Sequence, residues 1–376
     1  MTSSVTTTNG TSLSYGIIGA AAGIVPTHVN ALTQIPNMQI VGMADINEEA
    51  GAARAQETGC PFFVDHQVML REVRPDVVII CTPHPFHATL AIDCFAAGVH
   101  VLVEKPIAVE VAEADAMIAA AEQANRILAV NYQQRFRPAV EYIYNMITSG
   151  ELGHLVRVLC VEPWFRTDAY YRASTWRGTW QGEGGGVLLN QAPHTLDLLC
   201  HLAGMPTKVC AWTRTIAHPI ETEDTAQGML EFENGALGYL HVSTVEAGLE
   251  QRIQIVCDRA ALELVGDKLI LYRFEPSLQQ HMTTSPELFA PPDVHAEEIS
   301  LTGHGGSHVD VYRDLETAIR EGRIPRADGR EGLKSLELIN AFILSSYTEQ
   351  TVTLPIDRAA YTALLNDLRA GNRSTS

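Results

Sequence analysis

Two nearly unbroken apolar runs, Asp76–Cys81 (DVVIIC) and Val99–Val103 (VHVLV), each end abruptly in polar, proline-bearing sequence. The first gives way to Thr82-Pro83, the second to Glu104-Lys105-Pro106. A strand with apolar side chains on both of its faces must be covered on both, which confines it to the interior of a parallel sheet. Related runs recur at Leu13–Ile18, Met38–Ala44 and Ile127–Val130, and helix-like segments separate them. One helix is opened by Asn47 and carries Glu48 and Glu49 in its first turn, where acids complement the dipole. Another covers Phe86–Ala97 and is stopped by Gly98, and a third spans Val111–Gln123. Strand and helix alternating in this way define a doubly wound parallel sheet of the Rossmann type, expected over residues 13–131. Such sheets bind ligands outside the carboxyl ends of their strands, so the polar residues that end each run are the first candidates for a site.

Beyond Pro138 the pattern changes. Leu155–Val161 alternates loosely, Gly182–Gly186 is a glycine-dense loop, and Gln191–Leu202 reads as a helix. Thr225–Phe232 and Ala236–Val242 flank Glu233-Asn234-Gly235, a strong hairpin signal. Short strands follow at Arg252–Val256, Ala261–Leu264 and Leu269–Tyr272, then long helices at Val309–Glu321 and Glu331–Thr348. Phe274–Glu298, rich in Pro, Ser and His, is expected to be an irregular excursion. Residues 132–376 are therefore read as an α+β domain with a large open, mainly antiparallel sheet. Two domains suit a chain of 376 residues. Residues 1–12, MTSSVTTTNGTS, lack Lys, Arg and an apolar core and read as a disordered tail rather than a signal peptide.

The charge balance narrows the partners. Twenty-six basic against 44 acidic residues give a net charge of −18, which disfavours nucleic acid and anionic membrane surfaces. No apolar run approaches the roughly 20 residues of a transmembrane helix. Seven cysteines are scattered without a CxxC pair, and Cys81, Cys94 and Cys200 lie in apolar elements, as in a cytoplasmic protein with reduced, buried thiols.

The first strand runs into Gly16-Ile17-Ile18-Gly19-Ala20-Ala21-Ala22-Gly23. A dinucleotide fingerprint needs a glycine for the tight turn, a small residue beside the pyrophosphate, and another where helix meets strand. Gly19 takes the first role, Ala21 stands where a second glycine is usual, and Ala22 or Gly23 takes the third. Asp45 ends the second strand near the spacing of an acid that grips the adenosine ribose; it would repel a 2′-phosphate, so NAD is expected over NADP. The alternative is that Asp45 merely caps the following helix. Thr82-Pro83-His84-Pro85-Phe86-His87 leaves the same sheet edge, where a hydroxyl and helix-start amides suit a phosphate or ribose. His84 and His87 have no third ligand nearby except Cys81, which is expected to be buried, so no metal is expected.

Lys105 sits where desolvation can pull an ammonium toward neutrality, as proton transfer to or from a hydroxyl requires. In Gly184-Gly185-Gly186-Val187-Leu188-Leu189-Asn190-Gln191-Ala192-Pro193-His194, Asn190 and His194 are spaced to share one helix face. A histidine titrating near neutrality could relay an alcohol proton, and Asp197 could orient its ring. In the bland reading Asn190 is a helix cap and His194 a core residue. Trp164-Phe165-Arg166 through Tyr170-Tyr171, and Trp176-Arg177-Gly178-Thr179-Trp180, supply aromatic rings and cations suited to a polyhydroxylated ring or to an oligomer interface.

The ordered combination of a Rossmann start, Cys81-Thr82-Pro83…His87, Ala97-Gly98-Val99-His100-Val101…Glu104-Lys105-Pro106, Tyr132-Gln133-Gln134-Arg135-Phe136, the triple glycine with His194-Thr195-Leu196-Asp197, and Gly303-His304…Asp310 resembles the Gfo/Idh/MocA family of glucose–fructose oxidoreductases and inositol dehydrogenases. The resemblance implies hydride exchange between NAD and a secondary hydroxyl of a sugar, glycoside or inositol, with Lys105, His194 and the residue at position 190 as the catalytic set. That residue is usually aspartate; Asn190 cannot accept a proton, which leaves Lys105 or His194 to do so. The resemblance also implies cofactor contacts from Gly19, Ala21, Ala22, Gly23, Ile24, Asp45, Thr82, Pro83, His84, His87, Glu104, Lys105 and Gln133. Substrate contacts are expected from Lys105, Arg135, Arg166, Trp176, Arg177, Asn190 and His194. Self-association as a homodimer or homotetramer through the second sheet is implied as well. A redox-neutral enzyme with tightly held NAD, or a silent sugar- or nucleotide-sensing protein on the same scaffold, are the alternatives.

Overall fold

A computed structural model describes residues 12–372; the expected disordered tail lies outside them except for Ser12. The first sheet has six strands: β1 (Leu13–Ile18), β2 (Met38–Ala44), β3 (Phe62–Phe63), β4 (Val77–Ile80), β5 (His100–Val103) and β6 (Leu128–Val130). Every pairing is parallel and the order is β3-β2-β1-β4-β5-β6. All of β4 is fully buried, as its four aliphatic side chains require. Helices α1 (Val25–Thr33), α2 (Glu48–Thr58), α3 (His66–Val73), α4 (His87–Ala96) and α5 (Val111–Ala124) make the crossovers. The end of α4 is set by Gly98 at φ +77°, a conformation costly for any residue with a Cβ. The strand order reverses between β1 and β4, and the cleft at their carboxyl ends is the ligand position of such sheets.

The chain then enters α6 (Pro138–Thr148), β7 (Leu155–Pro163), α7 (Asp168–Arg172) and α8 (Pro193–Ala203). A second sheet is completed by β8 (Lys208–Arg214), β9 (Thr225–Glu231), β10 (Leu237–Ser243), β11 (Arg252–Cys257), β12 (Ala260–Val265), β13 (Lys268–Glu275), β14 (Asp293–Glu298) and β15 (Val352–Thr353). Its order is β14-β13-β12-β11-β7-β10-β9-β8-β15, antiparallel except where β7 meets β10. The remaining helices are α9 (Leu278–Thr284), α10 (His308–Glu321), α11 (Gly329–Thr348) and α12 (Arg358–Arg369). α11 lies on one face of this sheet: a Cβ at Gly228 would meet the Phe342 ring at 2.7 Å, and Ser345 Oγ accepts from Ala211 N at 3.0 Å. The other face is open, with Trp212, Met229 and Leu237 about half exposed.

Three expectations are corrected. Phe274–Glu298 is not irregular: it holds α9 and β14, whose residues are nearly all solvent-facing and so carry no apolar signature. The helix expected from Gln191 starts at Pro193, so Asn190 lies in the preceding turn and is neither on the helix nor its cap. The boundary at residue 131 does not divide the domains cleanly, because α10 returns to the first one. Its Val311, Tyr312 and Leu315 join Tyr15, Ile17, Val25, Leu32 and Ile79 in one buried cluster.

Candidate active site

The turn after β1 is built for close backbone approach. Gly19 has φ +90°, and a Cβ there would lie 2.8 Å from Cys81 C and Thr82 N. Gly23 faces open space. Asp45 Oδ2 accepts from Ala21 N at 2.8 Å and Oδ1 from Asn47 N at 2.7 Å, which locks the end of β2 to the glycine turn. The cap of α2 is Asn47, accepting from Ala50 N at 3.1 Å, so Asp45 does not serve as the cap. Beside Asp45, Ile46 is 90% exposed. The first turn of α1, with Ile24 before it, has no capping side chain. Thr82 Oγ1, Asn131 Oδ1 and Gln133 Oε1, which follow β4 and β6, are buried without partners. Exposed helix amides, unsatisfied polar atoms and an acid beside the glycine turn fit a dinucleotide.

The histidines of this edge behave differently from expectation. His87 is fully buried and both ring nitrogens face carbonyls, Pro106 O and Thr82 O, each at 2.9 Å. It braces two loops and has no nitrogen left for a cofactor. His84 Nδ1 meets Glu183 O at 3.2 Å and its ring edges Trp176 at 5.8 Å, tying the first domain to the second. Burial holds both imidazoles below their usual range.

Glu104 turns into a polar cluster absent from the sequence reading. Its Oε1 accepts from Asn131 Nδ2 at 2.5 Å and lies 2.9 Å from His28 Nε2 and 3.8 Å from His308 Nε2; His28 Nδ1 meets Tyr312 OH at 2.7 Å. Burial opposes charge on Glu104, but the hydrogen bond to His28, with His308 nearby and the charge of Lys105, holds its carboxyl well below the usual range. The ligand atoms of His28, Glu104 and His308 lie within 4.8 Å of one another. Hydrogen bonds already engage both nitrogens of His28, while His308 Nε2 is buried without a partner; the cluster ties α10 and α1 to the end of β5.

Lys105 extends from the same loop across the cleft, where its Nζ donates to the Asn190 carbonyl at 2.7 Å. Burial pushes its ammonium below the usual range, against the opposing pull of Glu104 and Glu183. The Asn190 side chain donates through Nδ2 to Glu183 Oε1. His194 opens α8 with its ring edge-on to Tyr132 at 5.8 Å and its Nδ1 unpartnered. Burial, reinforced by the charge of Lys105, drives this imidazole down to about 3. His194 is therefore a neutral ring across the working pH range, not the near-neutral relay expected from its residue type. Two carboxyls are displaced to near neutrality instead, Glu183 and Glu223, each lifted by burial to about 7.

Asp197 does not orient His194. It forms a bidentate pair with Arg135, at 2.8 Å to Nε and 2.6 Å to Nη2, and both side chains are 1% exposed. Arg135 Nη1 donates further to Arg326 O at 2.7 Å and Glu331 Oε2 at 3.2 Å. The expectation that Arg135 contacts substrate is thus corrected: its fork is consumed in holding the short 3-10 turn Gln133–Phe136 to α8 and α11. Arg166 and Arg177 lie near enough to Lys105 for their charges to act on it, and Trp176 packs edge-on to His84. The Arg166 guanidinium lies over Trp164 and Tyr170 at 5.4 and 5.1 Å, and that of Arg177 over Tyr170 and Trp176 at 4.3 and 5.2 Å. Tyr171 is structural, buried with its hydroxyl 3.0 Å from Thr244 Oγ1. The seven cysteines are free, and five of them are buried. Among the described residues no helix is long and apolar enough to cross a membrane.

Residues 13–132 match an oxidoreductase family of NAD-binding Rossmann fold, and residues 140–263 match the GFO/IDH/MocA C-terminal domain. The chain belongs to the Gfo/Idh/MocA family of oxidoreductases, and its first domain is an NAD-binding domain. Among solved structures it is similar to the WlbA dehydrogenase from Bordetella pertussis in complex with NADH and UDP-GlcNAcA, at 29% identity and a TM-score of 0.79 over 92% of this chain and all of that one. Among characterised relatives it is 27% identical to D-apiose dehydrogenase of Paraburkholderia graminis over 87% of this chain and 86% of the relative. It is also 27% identical to 4-carboxy-2-hydroxymuconate-6-semialdehyde dehydrogenase of Sphingobium sp. strain NBRC 103272 / SYK-6, over 82% of this chain and 91% of the relative.

Proposed function

We propose that this protein is an NAD-dependent dehydrogenase acting on a secondary hydroxyl, or the corresponding ketone, of a sugar or cyclitol that carries an anionic group. The observation that carries the reading is Lys105, desolvated at the carboxyl end of β5 and reaching 2.7 Å to the Asn190 carbonyl across the cleft. Bound NAD supplies the hydride acceptor. Lys105 takes the hydroxyl proton when neutral and returns it when charged. Asn190 and neutral His194 hold the hydroxyl by hydrogen bonds without ionising. Asp45 selects NAD, since the neighbouring position is the apolar Ile46 and offers no partner for a 2′-phosphate. Arg166 and Arg177, concentrated at this cleft in a chain of net charge −18, favour a uronate or phosphorylated sugar. The UDP-GlcNAcA-bound relative supports that class. The half-exposed apolar residues of the second sheet support self-association there, and the free cysteines support a reducing, cytoplasmic setting.

The test is a panel of neutral sugars, inositols, uronates and nucleotide sugars with NAD, read by absorbance of the reduced cofactor. Lys105→Ala should lower turnover by at least about 100-fold, the usual scale for losing an acid/base group, with thermal unfolding near wild type. Retained activity would remove Lys105 from the chemistry. A wild type that reduces NAD with none of these substrates would overturn the functional reading.

A further inference from the structure

Glu183 precedes the triple glycine and no sequence pattern marks it, yet it is 1% exposed and touches the pair that crosses the cleft. Its Oε1 accepts from Asn190 Nδ2 and its Oε2 from Gly178 N at 2.5 Å. Ionised, Glu183 can only accept, so in that state the amide presents its NH₂ to Glu183 and leaves its oxygen free. That oxygen has no protein partner among the described residues. The main chain of the same asparagine receives the Lys105 ammonium. We propose that Glu183 is a positioning residue of this site: it fixes the Asn190 amide, leaving its oxygen free for the substrate, and its charge modulates Lys105, which crosses the cleft to the same asparagine. The idea rests on the dehydrogenase reading and adds to it where the acid usual at position 190 has gone.

Two acids raise the affinity of Lys105 for its proton, Glu104 and Glu183. Glu104 is held as an anion by the contact with His28 and by the charge of Lys105. Glu183 is not so held. Burial favours its neutral form, and Gly178, Asn190, Arg177 and Lys105 only partly compensate, leaving it at about 7. The other groups that feel its charge are Glu223 and Tyr171, while His84 meets its main-chain carbonyl. Glu183 can therefore change charge across the working range while Glu104 cannot. The same contact makes Asn190→Asp, which would restore the commoner residue, unfavourable here: two carboxylates would meet edge to edge with one proton between them.

The substrate-free test uses the four lysines, Lys105, Lys208, Lys268 and Lys334, labelled with ¹³C at Cε and titrated by NMR without NAD, the Lys105 signal being assigned from Lys105→Ala. In wild type the Lys105 signal should show a second inflection near neutrality. Glu183→Gln should remove it and lower the Lys105 pKa by at least about one unit. An identical Lys105 titration in the two proteins would overturn the proposal. The kinetic test uses NAD with whichever of D-glucose, myo-inositol, D-glucuronate or UDP-GlcNAcA is oxidised. Glu183→Gln should erase the near-neutral limb of kcat/KM and lower kcat more than it changes KM. Asn190→Asp should fall at least about tenfold, and Glu183→Gln/Asn190→Asp should recover most of that loss, a coupling that a purely structural glutamate would not show. Asn190→Asp at wild-type activity would refute the contact. If none of the four compounds is oxidised the functional reading suffers, while the lysine titration still decides the role of Glu183.

Discussion

Removing one member of the Arg135–Asp197 pair should destabilise the protein far more than removing both. The two charges are in bidentate contact and 1% exposed. Burial raises the Asp197 carboxyl even with the guanidinium beside it, while the same contact raises Arg135, and desolvation of the two buried charges offsets much of their attraction. A buried guanidinium left alone is another matter. Asp197→Asn strips two charge-assisted bonds from Arg135 and leaves only Glu331 and the Arg326 carbonyl to compensate. The expected cost is about 3–5 kcal/mol. At roughly 2–4 °C per kcal/mol for a domain of about 150–250 residues, Tm should fall on the order of 10 °C. Arg135→Met/Asp197→Leu should recover most of it, because an apolar pair leaves no stranded charge. Urea denaturation and thermal unfolding of the single and double variants form a double-mutant cycle. A loss below about 1 kcal/mol in Asp197→Asn would refute the reasoning. So would a selective rise in substrate KM in Arg135→Lys with stability intact, since Arg135 would then contact substrate after all.

Glu223 should mark itself through alkaline stability. Its Oε1 accepts from Gly186 N and Leu188 N at 2.9 and 3.1 Å, its Oε2 has no partner, and burial lifts its carboxyl from 4.5 to about 7. A raised carboxyl means that the folded state keeps a proton the unfolded chain releases, so stability is lost as pH climbs from 4.5 through about 7. Glu223→Gln should stabilise on the order of 3 kcal/mol at about pH 9 and have no such effect at about pH 4, in urea denaturation; an equal difference at both pH values would show that Glu223 does not titrate. Asp45→Ser with Ile46→Arg should shift the ratio of NADP to NAD kcat/KM by at least about tenfold, roughly 1.4 kcal/mol, and an unchanged ratio would detach Asp45 from the ribose.

The first sheet was legible because a strand buried on both faces writes an unbroken apolar run, as β4 does. β8 alternates Val209, Ala211 and Thr213 inward with Cys210 and Trp212 outward, a pattern too short and mixed to stand out. α6 carried a usable signal in Ala139, Val140, Ile143 and Met146, spaced along one helix face behind Pro138, and it passed unread. In the site, Lys105 announced itself because its strand and its proline are local. His28, Glu104, His308 and Tyr312 meet across the length of the chain, and nothing local in residue 28 points to residue 308. Glu183 looked like loop punctuation. What makes it chemical is burial, and burial is set by the loops that close over it. The same blindness made His194 look like a proton relay, since its residue type suggested a neutral pKa and its enclosure removes it.

The return of α10 to the first domain has a consequence for how this protein is made. Tyr312 completes the wall against Tyr15, with ring centroids 5.7 Å apart, and its hydroxyl reaches His28. A ribosome that has finished the last strand of the first sheet has yet to synthesise the helix that seals it, which ends only at Glu321. Val311, Tyr312 and Leu315, which share a buried cluster with Ile17, Val25, Leu32 and Ile79, come only after eight of the second sheet's nine strands. The α10 wall of the dinucleotide domain is therefore added only after β7 to β14 of the second sheet have been made, so the last packing of the first domain and the sequence of the second are linked in order of synthesis.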